Sequence, residues 1–128
     1  MAAFLTQEWL DLHRSIGASL PAAPALSARI QFVIAGSPEG DVKLAMVVTD
    51  GLVTESSLGT DGDADLTLTI KYPDAVNLLR GERDPNAAFM QGKIKVAGPT
   101  GPLLDLLSLS ITAERVAARS ELSAQTET

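Results

Sequence analysis

Hydrophobic positions near the start of the chain recur every three or four residues. This spacing predicts an amphipathic helix over residues 6–19. Thr6 is its predicted N-cap, because a threonine hydroxyl can accept a hydrogen bond from a free amide of the first turn. Pro21 and Pro24 are expected to end the element. The apolar stripe of this helix consists of Leu5, Trp9, Leu12, Ile16 and Leu20.

The period then changes to two, which is typical of strands with one buried face. The alternating apolar residues are Ile30, Phe32, Ile34, Val42, Leu44, Met46, Val48, Leu66, Leu68 and Ile70. Asp50-Gly51 predicts a tight hairpin between two of these strands, since glycine tolerates the positive φ that such a turn requires. The more polar segment 52–58 is predicted to be a returning strand near a sheet edge.

Short helices and one more strand follow. Pro73 suits the first turn of a helix that ends at Gly81. Asp84, followed by proline, is expected to cap a second short helix, and residues 94–96 alternate as a last strand. The element order predicts an α+β fold with five strands, in which helices cover one face of a mostly antiparallel sheet.

The C-terminal third is predicted to be helical. Five leucines within residues 103–109 form a very apolar helix, and residues 112–120 form another. Residues from about 121 to 128 are polar and are expected to fray. Since we find no repeat or linker, residues 1–128 are expected to be a single domain.

Charge and composition exclude several classes of function. The net charge is -6, with 10 basic against 16 acidic residues, which disfavours nucleic-acid binding. The chain has no cysteine, so neither disulfides nor thiolate metal sites are expected. Neither a signal peptide nor an integral membrane segment is evident, and we expect a cytoplasmic location.

The polar residues that catalysis requires are scarce. His13 is the only histidine, and we expect it to lie on the solvated flank of the first helix. Residues 61–65 have the alternating carboxylates of a calcium loop, but Leu66 and Tyr72 stand where glycine and glutamate are needed. We therefore predict no catalytic residue, no metal and no cofactor.

The leucine-rich segment 103–109 has two interpretations. Its leucines cover more of a helix than one core-facing stripe needs. The helix is either buried on most sides, or it lines an apolar cavity on one side and packs on the other. In the second case, the apolar clusters at 76–79 and 89–90 are candidates for the opposite wall.

Several motifs between Asp63 and Leu109 resemble the sterol carrier protein 2 family. They are the acidic-Leu-Thr-Leu-Thr strand, the Leu-Leu-Arg-Gly helix end, the Asp84-Pro85 helix start and the segment Phe-Met-Gln-Gly-Lys-Ile-Lys-Val at 89–96. The likeness implies a five-stranded sheet covered on one face by helices, with an apolar tunnel between the layers. It also implies non-catalytic binding and transfer of a fatty acid, fatty acyl-CoA, sterol or phospholipid.

The resemblance and the apolar clusters together give an expected ligand-binding set. It consists of Val76, Leu79, Phe89, Met90, Gln91, Ile94, Leu103, Leu104, Leu106 and Leu107. The family often carries a more basic amphipathic segment where this chain has residues 102–107. A compact, alanine-rich chain without cysteine fits a bacterial member, either monomeric or homodimeric, with at most transient membrane contact.

Two rival functions remain open from the sequence. The same fold with a filled core would serve as an interaction or dimerisation module that docks on an enzyme of lipid or steroid metabolism. Alternatively, Asp105 would act as the base of a steroid-converting enzyme, made less acidic by its apolar helix. The first rival predicts an exposed apolar patch, and the second requires polar partners that the sequence does not show.

Overall fold

The computed structural model describes residues 2–24 and 26–128. The helices are α1 (Gln7–Gly17), α2 (Tyr72–Arg80), α3 (Pro85–Met90), α4 (Gly101–Ser110) and α5 (Ala113–Ala124). The strands are β1 (Ala2–Ala3), β2 (Ala28–Ser37), β3 (Gly40–Thr49), β4 (Leu52–Leu58), β5 (Leu66–Lys71), β6 (Ile94–Ala97) and β7 (Thr126–Glu127).

The main sheet has five strands in the order β4-β3-β2-β5-β6. Within this sheet, β2 and β5 run parallel to each other, and the other three neighbouring pairs are antiparallel. The segment 52–58 lies at one edge, as its polarity predicts. The expected α+β class, with a mostly antiparallel five-stranded sheet and packed helices, is confirmed.

The strand register places the alternating apolar residues on one face. Phe32 lies opposite Leu44 of β3 and Leu68 of β5, and every second residue along each strand shares that face. Ile30, Leu66 and Leu68 on this face are almost fully buried. The helices pack here, so the hydrophobic core lies between the two layers.

Local signals fix the ends of the elements where the sequence predicts them. The Thr6 hydroxyl accepts a hydrogen bond from the Trp9 amide at 3.2 Å, and the Asp84 carboxylate accepts one from the Ala87 amide at 3.2 Å. Asp50 and Gly51 have φ angles of 51° and 77°, as a type I′ hairpin turn requires. The structure thus confirms both predicted caps and the predicted turn.

The C-terminal residues are ordered by contacts that sequence patterns do not show. Helix α5 continues to Ala124, beyond the expected end at residue 120, and β7 pairs in parallel with β1. Thr126 is buried, and its hydroxyl accepts a hydrogen bond from the Trp9 indole at 3.0 Å. A frayed tail was expected from local polarity alone, whereas here β7 is held by β1, and Thr126 is held by Trp9.

Candidate ligand cavity

A cavity of about 350 Å³ lies between the sheet and the helices. Its floor is formed by apolar side chains from four strands. They are Ile30, Phe32 and Ile34 of β2, Leu44, Met46 and Val48 of β3, Leu52 and Val53 of β4, and Ile70 of β5. The alternation that builds the sheet therefore also gives the cavity an apolar floor.

Helix α1 forms one wall. Its lining residues are Trp9, His13, Ile16 and Gly17, and Leu20 follows beyond the helix end. Trp9, His13 and Ile16 are spaced by four and three residues, so they lie on one helical face. That face carries one titratable side chain among apolar neighbours.

Helix α5 forms another wall through a stripe that changes character along its length. The lining residues Arg115, Ala118, Arg119 and Leu122 recur at helical spacing. The two arginines are half-buried. Arg115 lies in the first turn of α5, and Arg119 lies in the middle of the helix but extends its guanidinium back to Ser110, which precedes α5. Leu122 is buried near the C-terminal end. The cavity therefore has a cationic and an apolar end along this helix.

His13 does not lie in the solvated position that the sequence suggested. It is half-buried, its ring centroid lies 5.7 Å from that of Trp9, and its Nδ1 is shielded from solvent. Among the described residues, this Nδ1 has no hydrogen-bond partner. Burial lowers the pKa of His13 below its usual value, because the charged imidazolium loses its hydration. The imidazole is therefore neutral at pH 7.

The two arginines of α5 are held by backbone carbonyls. Nη2 of Arg115 donates to the carbonyls of Pro21 at 2.8 Å and Gly51 at 3.2 Å. Nη2 of Arg119 donates to the carbonyl of Ser110 at 3.3 Å. Within residues 2–24 and 26–128, no carboxylate oxygen lies within 4.0 Å of either guanidinium.

The structure divides the ten residues of the sequence-predicted site. Leu79 and Leu106 line the cavity. The other eight do not line it: Ile94, Leu103 and Leu107 are buried in the core, Val76 and Phe89 are half-buried, and Met90, Gln91 and Leu104 are exposed. Contact of these side chains with a ligand stays a prediction.

The geometry of α4 explains this division. Leu103 and Leu107, four residues apart, are buried on one face, with exposed fractions of 1% and 4%. Leu104 is 49% exposed on another face, and Asp105 is exposed beside it. The leucine-rich helix is thus partly solvated, and Asp105 lies on its exposed side rather than among apolar side chains.

Sequence reasoning missed most of the cavity walls. The floor residues have the pattern of ordinary core positions, because alternation does not distinguish a packed core from the lining of a cavity. A signal for His13 was present, since it lies four residues after Trp9 and three before Ile16. The same helical spacing links Arg115 and Arg119 to Leu122.

The described residues offer neither a metal site nor a membrane span. In the part of the chain that the structure describes, His, Asp and Glu form no group of three or more that could hold a metal ion. Across residues 2–24 and 26–128, every helix is too short or too polar to cross a bilayer.

Comparison with curated proteins shows likeness to sterol carrier proteins. Sterol carrier protein 2 of Rattus norvegicus is 35% identical over 86 residues, which are 66% of this chain and 15% of the rat protein. Sterol carrier protein 2 of Oryctolagus cuniculus is 38% identical over 52 residues, or 41% of this chain and 10% of the rabbit protein. The chain thus spans a small part of these relatives.

Solved structures share the fold at low sequence identity. A solution structure of a conserved hypothetical protein from Thermus thermophilus superposes with a TM-score of 0.72 at 16% identity, covering 95% of this chain and 91% of that one. The model of the SCP-2 sterol transfer family matches residues 8–109. This match extends over most of the chain, from α1 through α4, and the chain therefore belongs to the SCP-2 sterol transfer family.

Proposed function

We propose that this domain binds one small hydrophobic molecule in the cavity between its sheet and helices and transfers it between sites. The ligand class is a fatty acid, fatty acyl-CoA, sterol or phospholipid. The observation that carries the proposal is an apolar cavity of about 350 Å³ in a member of a sterol transfer family. The proposal includes a cytoplasmic location and at most transient membrane contact.

The cavity is suited to binding by burial of apolar surface. Ligand sites in proteins typically measure about 300–1,000 Å³ and are lined mainly by apolar side chains with a few polar groups. Each methylene group moved from water into such a site contributes about 0.8 kcal/mol. A hydrocarbon body therefore needs few polar contacts, and specificity is set by the length and shape of the cavity.

The lining offers little for catalysis. His13, Arg115 and Arg119 are the ionisable side chains among the lining residues, which include no serine, cysteine or carboxylate. General acid–base or nucleophilic catalysis needs such groups in mutual hydrogen-bond reach. We therefore propose binding and transfer without chemical conversion of the ligand.

Leu79 and Leu106 are the proposed contacts that come from the sequence-predicted set, since both line the cavity. We add Trp9 from the α1 wall and Phe32 from the floor as proposed contacts. The tunnel that the family resemblance implies is, in this proposal, the cavity itself.

A cavity-filling substitution tests this proposal. Ala118 lines the cavity, whereas Ala117 is exposed and does not. Ala118→Phe places a ring in the ligand volume and is expected to abolish uptake of a fluorescent acyl probe. Ala117→Phe adds the same ring outside the cavity and is expected to bind as the unaltered protein does.

Circular dichroism and urea unfolding establish that both variants are folded. If folded Ala118→Phe takes up the acyl probe as well as Ala117→Phe does, the cavity is not the binding site. Transfer is measured separately, as movement of the acyl probe from donor to acceptor vesicles. The unaltered protein and Ala117→Phe should transfer the probe, and Ala118→Phe should not.

The alternative function, an interaction or dimerisation module, rests on exposed apolar side chains. Among residues 2–24 and 26–128, the large apolar residues that are well exposed are Leu58, Met90, Leu104, Ile111 and Val116. Met90, at 85% exposure, is the most open of them. A module of this kind would not need the cavity. Ala118→Phe, which blocks the cavity, would therefore still form dimers or bind a partner protein.

A further inference from the structure

The cationic end of the cavity carries information about the ligand that its apolar lining does not. The chain has a net charge of -6, yet the helix α5 wall presents two arginines, and among the described residues neither has a carboxylate partner. In contrast, Arg14 and Arg29 each form an ion pair at 3.0 Å. A half-buried guanidinium without a counterion is a favourable place for an anion.

Both guanidinium groups retain hydrogen-bond donors. A guanidinium has five N–H groups. Within the described residues, Arg115 and Arg119 each use only Nη2, and both are oriented by backbone carbonyls of Pro21, Gly51 and Ser110. Their Nε and Nη1 groups are left to bind a further acceptor. Arginine forks match the two oxygens of a carboxylate.

The opposite end of the same wall is apolar. Leu122 follows Arg115 by seven residues, which corresponds to about 10 Å along a helix. It is buried where the Trp9 indole is hydrogen-bonded to Thr126, just beyond the end of α5. The lining therefore has the polarity of an amphiphile, cationic at the start of α5 and without a charged group toward Trp9, where the His13 imidazole is neutral.

We propose that the cavity selects a long-chain carboxylate, with its headgroup at Arg115 and Arg119 and its tail directed toward Trp9. This inference rests on the proposed function and deepens it by naming the ligand class and its orientation. A neutral sterol or ester would leave both guanidinium groups without an anion. Hydrogen bonds to charged groups contribute more than neutral ones, so the carboxylate is preferred.

The proposed selection of a carboxylate is tested with dodecanoate and its methyl ester. The affinity for each is measured at pH 8 by displacement of a fluorescent acyl probe. The unaltered protein is expected to bind the acid at least about tenfold more tightly than the ester. Arg119→Gln and Arg115→Gln are expected to lose that preference while still binding the ester. Arg80→Gln, on the exposed end of α2, is the matched control and keeps it.

The comparison of acid with ester in the unaltered protein stands even if a variant fails to fold. Equal affinity for the two ligands would overturn the headgroup assignment and leave the proposed function intact. If the protein bound neither, both proposals would fail. Loss of ester and acid binding to the same extent in folded Arg119→Gln would likewise contradict an anion site.

The orientation has its own readout, because the chain has a single tryptophan and that residue lines the cavity. Bromine quenches indole fluorescence only at short range. Dodecanoate brominated at its terminal carbon is expected to quench Trp9 strongly at saturation, and 2-bromododecanoate only weakly. Equal quenching, or stronger quenching by the 2-bromo acid, would overturn the proposed orientation.

Discussion

The neutral imidazole of His13 makes the stability of the helical layer depend on pH. Burial lowers the pKa of His13 in the folded state below the value of 6.5 that it has in an unfolded chain. The unfolded state therefore binds the proton more readily. The associated stability is fully present above pH 6.5 and is lost as the pH falls from there toward the folded-state pKa.

Substitution of His13 isolates this effect. His13→Phe keeps a ring beside Trp9 and removes the proton-binding group. The free energy of unfolding of the unaltered protein should fall below pH 6.5, with a slope of at most about 1.4 kcal/mol per pH unit for one proton. Relative to that curve, the His13→Phe curve should be flatter from pH 6.5 down to the folded-state pKa of His13.

Urea unfolding across this pH range measures both curves. His13 is the only histidine of the chain, so no other histidine contributes to the difference. Parallel curves for the two proteins would show that His13 is as solvated in the folded state as in the unfolded state.

At the scale of elements, the β3–β4 turn packs against the segment that follows α1. Gly51 has a φ of 77°, and its amide donates to the Leu26 carbonyl at 2.7 Å. A Cβ at this position would lie 2.7 Å from the Cβ of Ala23. Gly51 lines the cavity and its carbonyl binds Arg115, so this close approach also positions the cationic end.

Gly51→Ala and Gly81→Ala form a matched pair. Gly81 has a φ of 75°, and a Cβ there would meet no atom within 4 Å. Gly81→Ala should cost about 1–2 kcal/mol from the left-handed backbone alone. Gly51→Ala should cost more, because the Ala23 backbone must also move. Equal losses in chemical denaturation would show that the close approach is absent.

Elements that are fixed by residues close together in the sequence could be predicted, and those fixed by distant residues could not. The Thr6 and Asp84 caps and the Asp50-Gly51 turn depend on neighbours within a few residues, and the sequence predicts all three. The pairing of β1 with β7 joins residues from opposite ends of the chain. No local pattern indicates such a contact, which is why Thr126 was expected in a frayed tail.

The candidate site was harder to predict than the fold for a physical reason. Alternation and helical spacing indicate which face of an element is buried. They do not indicate whether the side chains of two facing elements touch or leave a cavity between them. Leu103 and Leu107 fill the core, while Leu106 of the same helix reaches the cavity. That difference is set by how whole layers pack, and a sequence pattern contains no measure of it.

At the scale of the whole molecule, one sheet face provides both the core and the floor of the cavity. Strands β1 and β7 pair at the Trp9 end, and the β3–β4 turn and the α5 arginines lie at the other end. The central claim is that this arrangement holds a single hydrophobic molecule between the layers.

Native mass spectrometry of the purified protein, followed by extraction and identification of bound molecules, tests that claim most directly. We predict a species with one fatty acid or other lipid per chain, present on purification or formed on addition of dodecanoate, and absent in folded Ala118→Phe. A protein that stays at its bare mass, even with excess dodecanoate and sterol, would contradict the account and favour the interaction module.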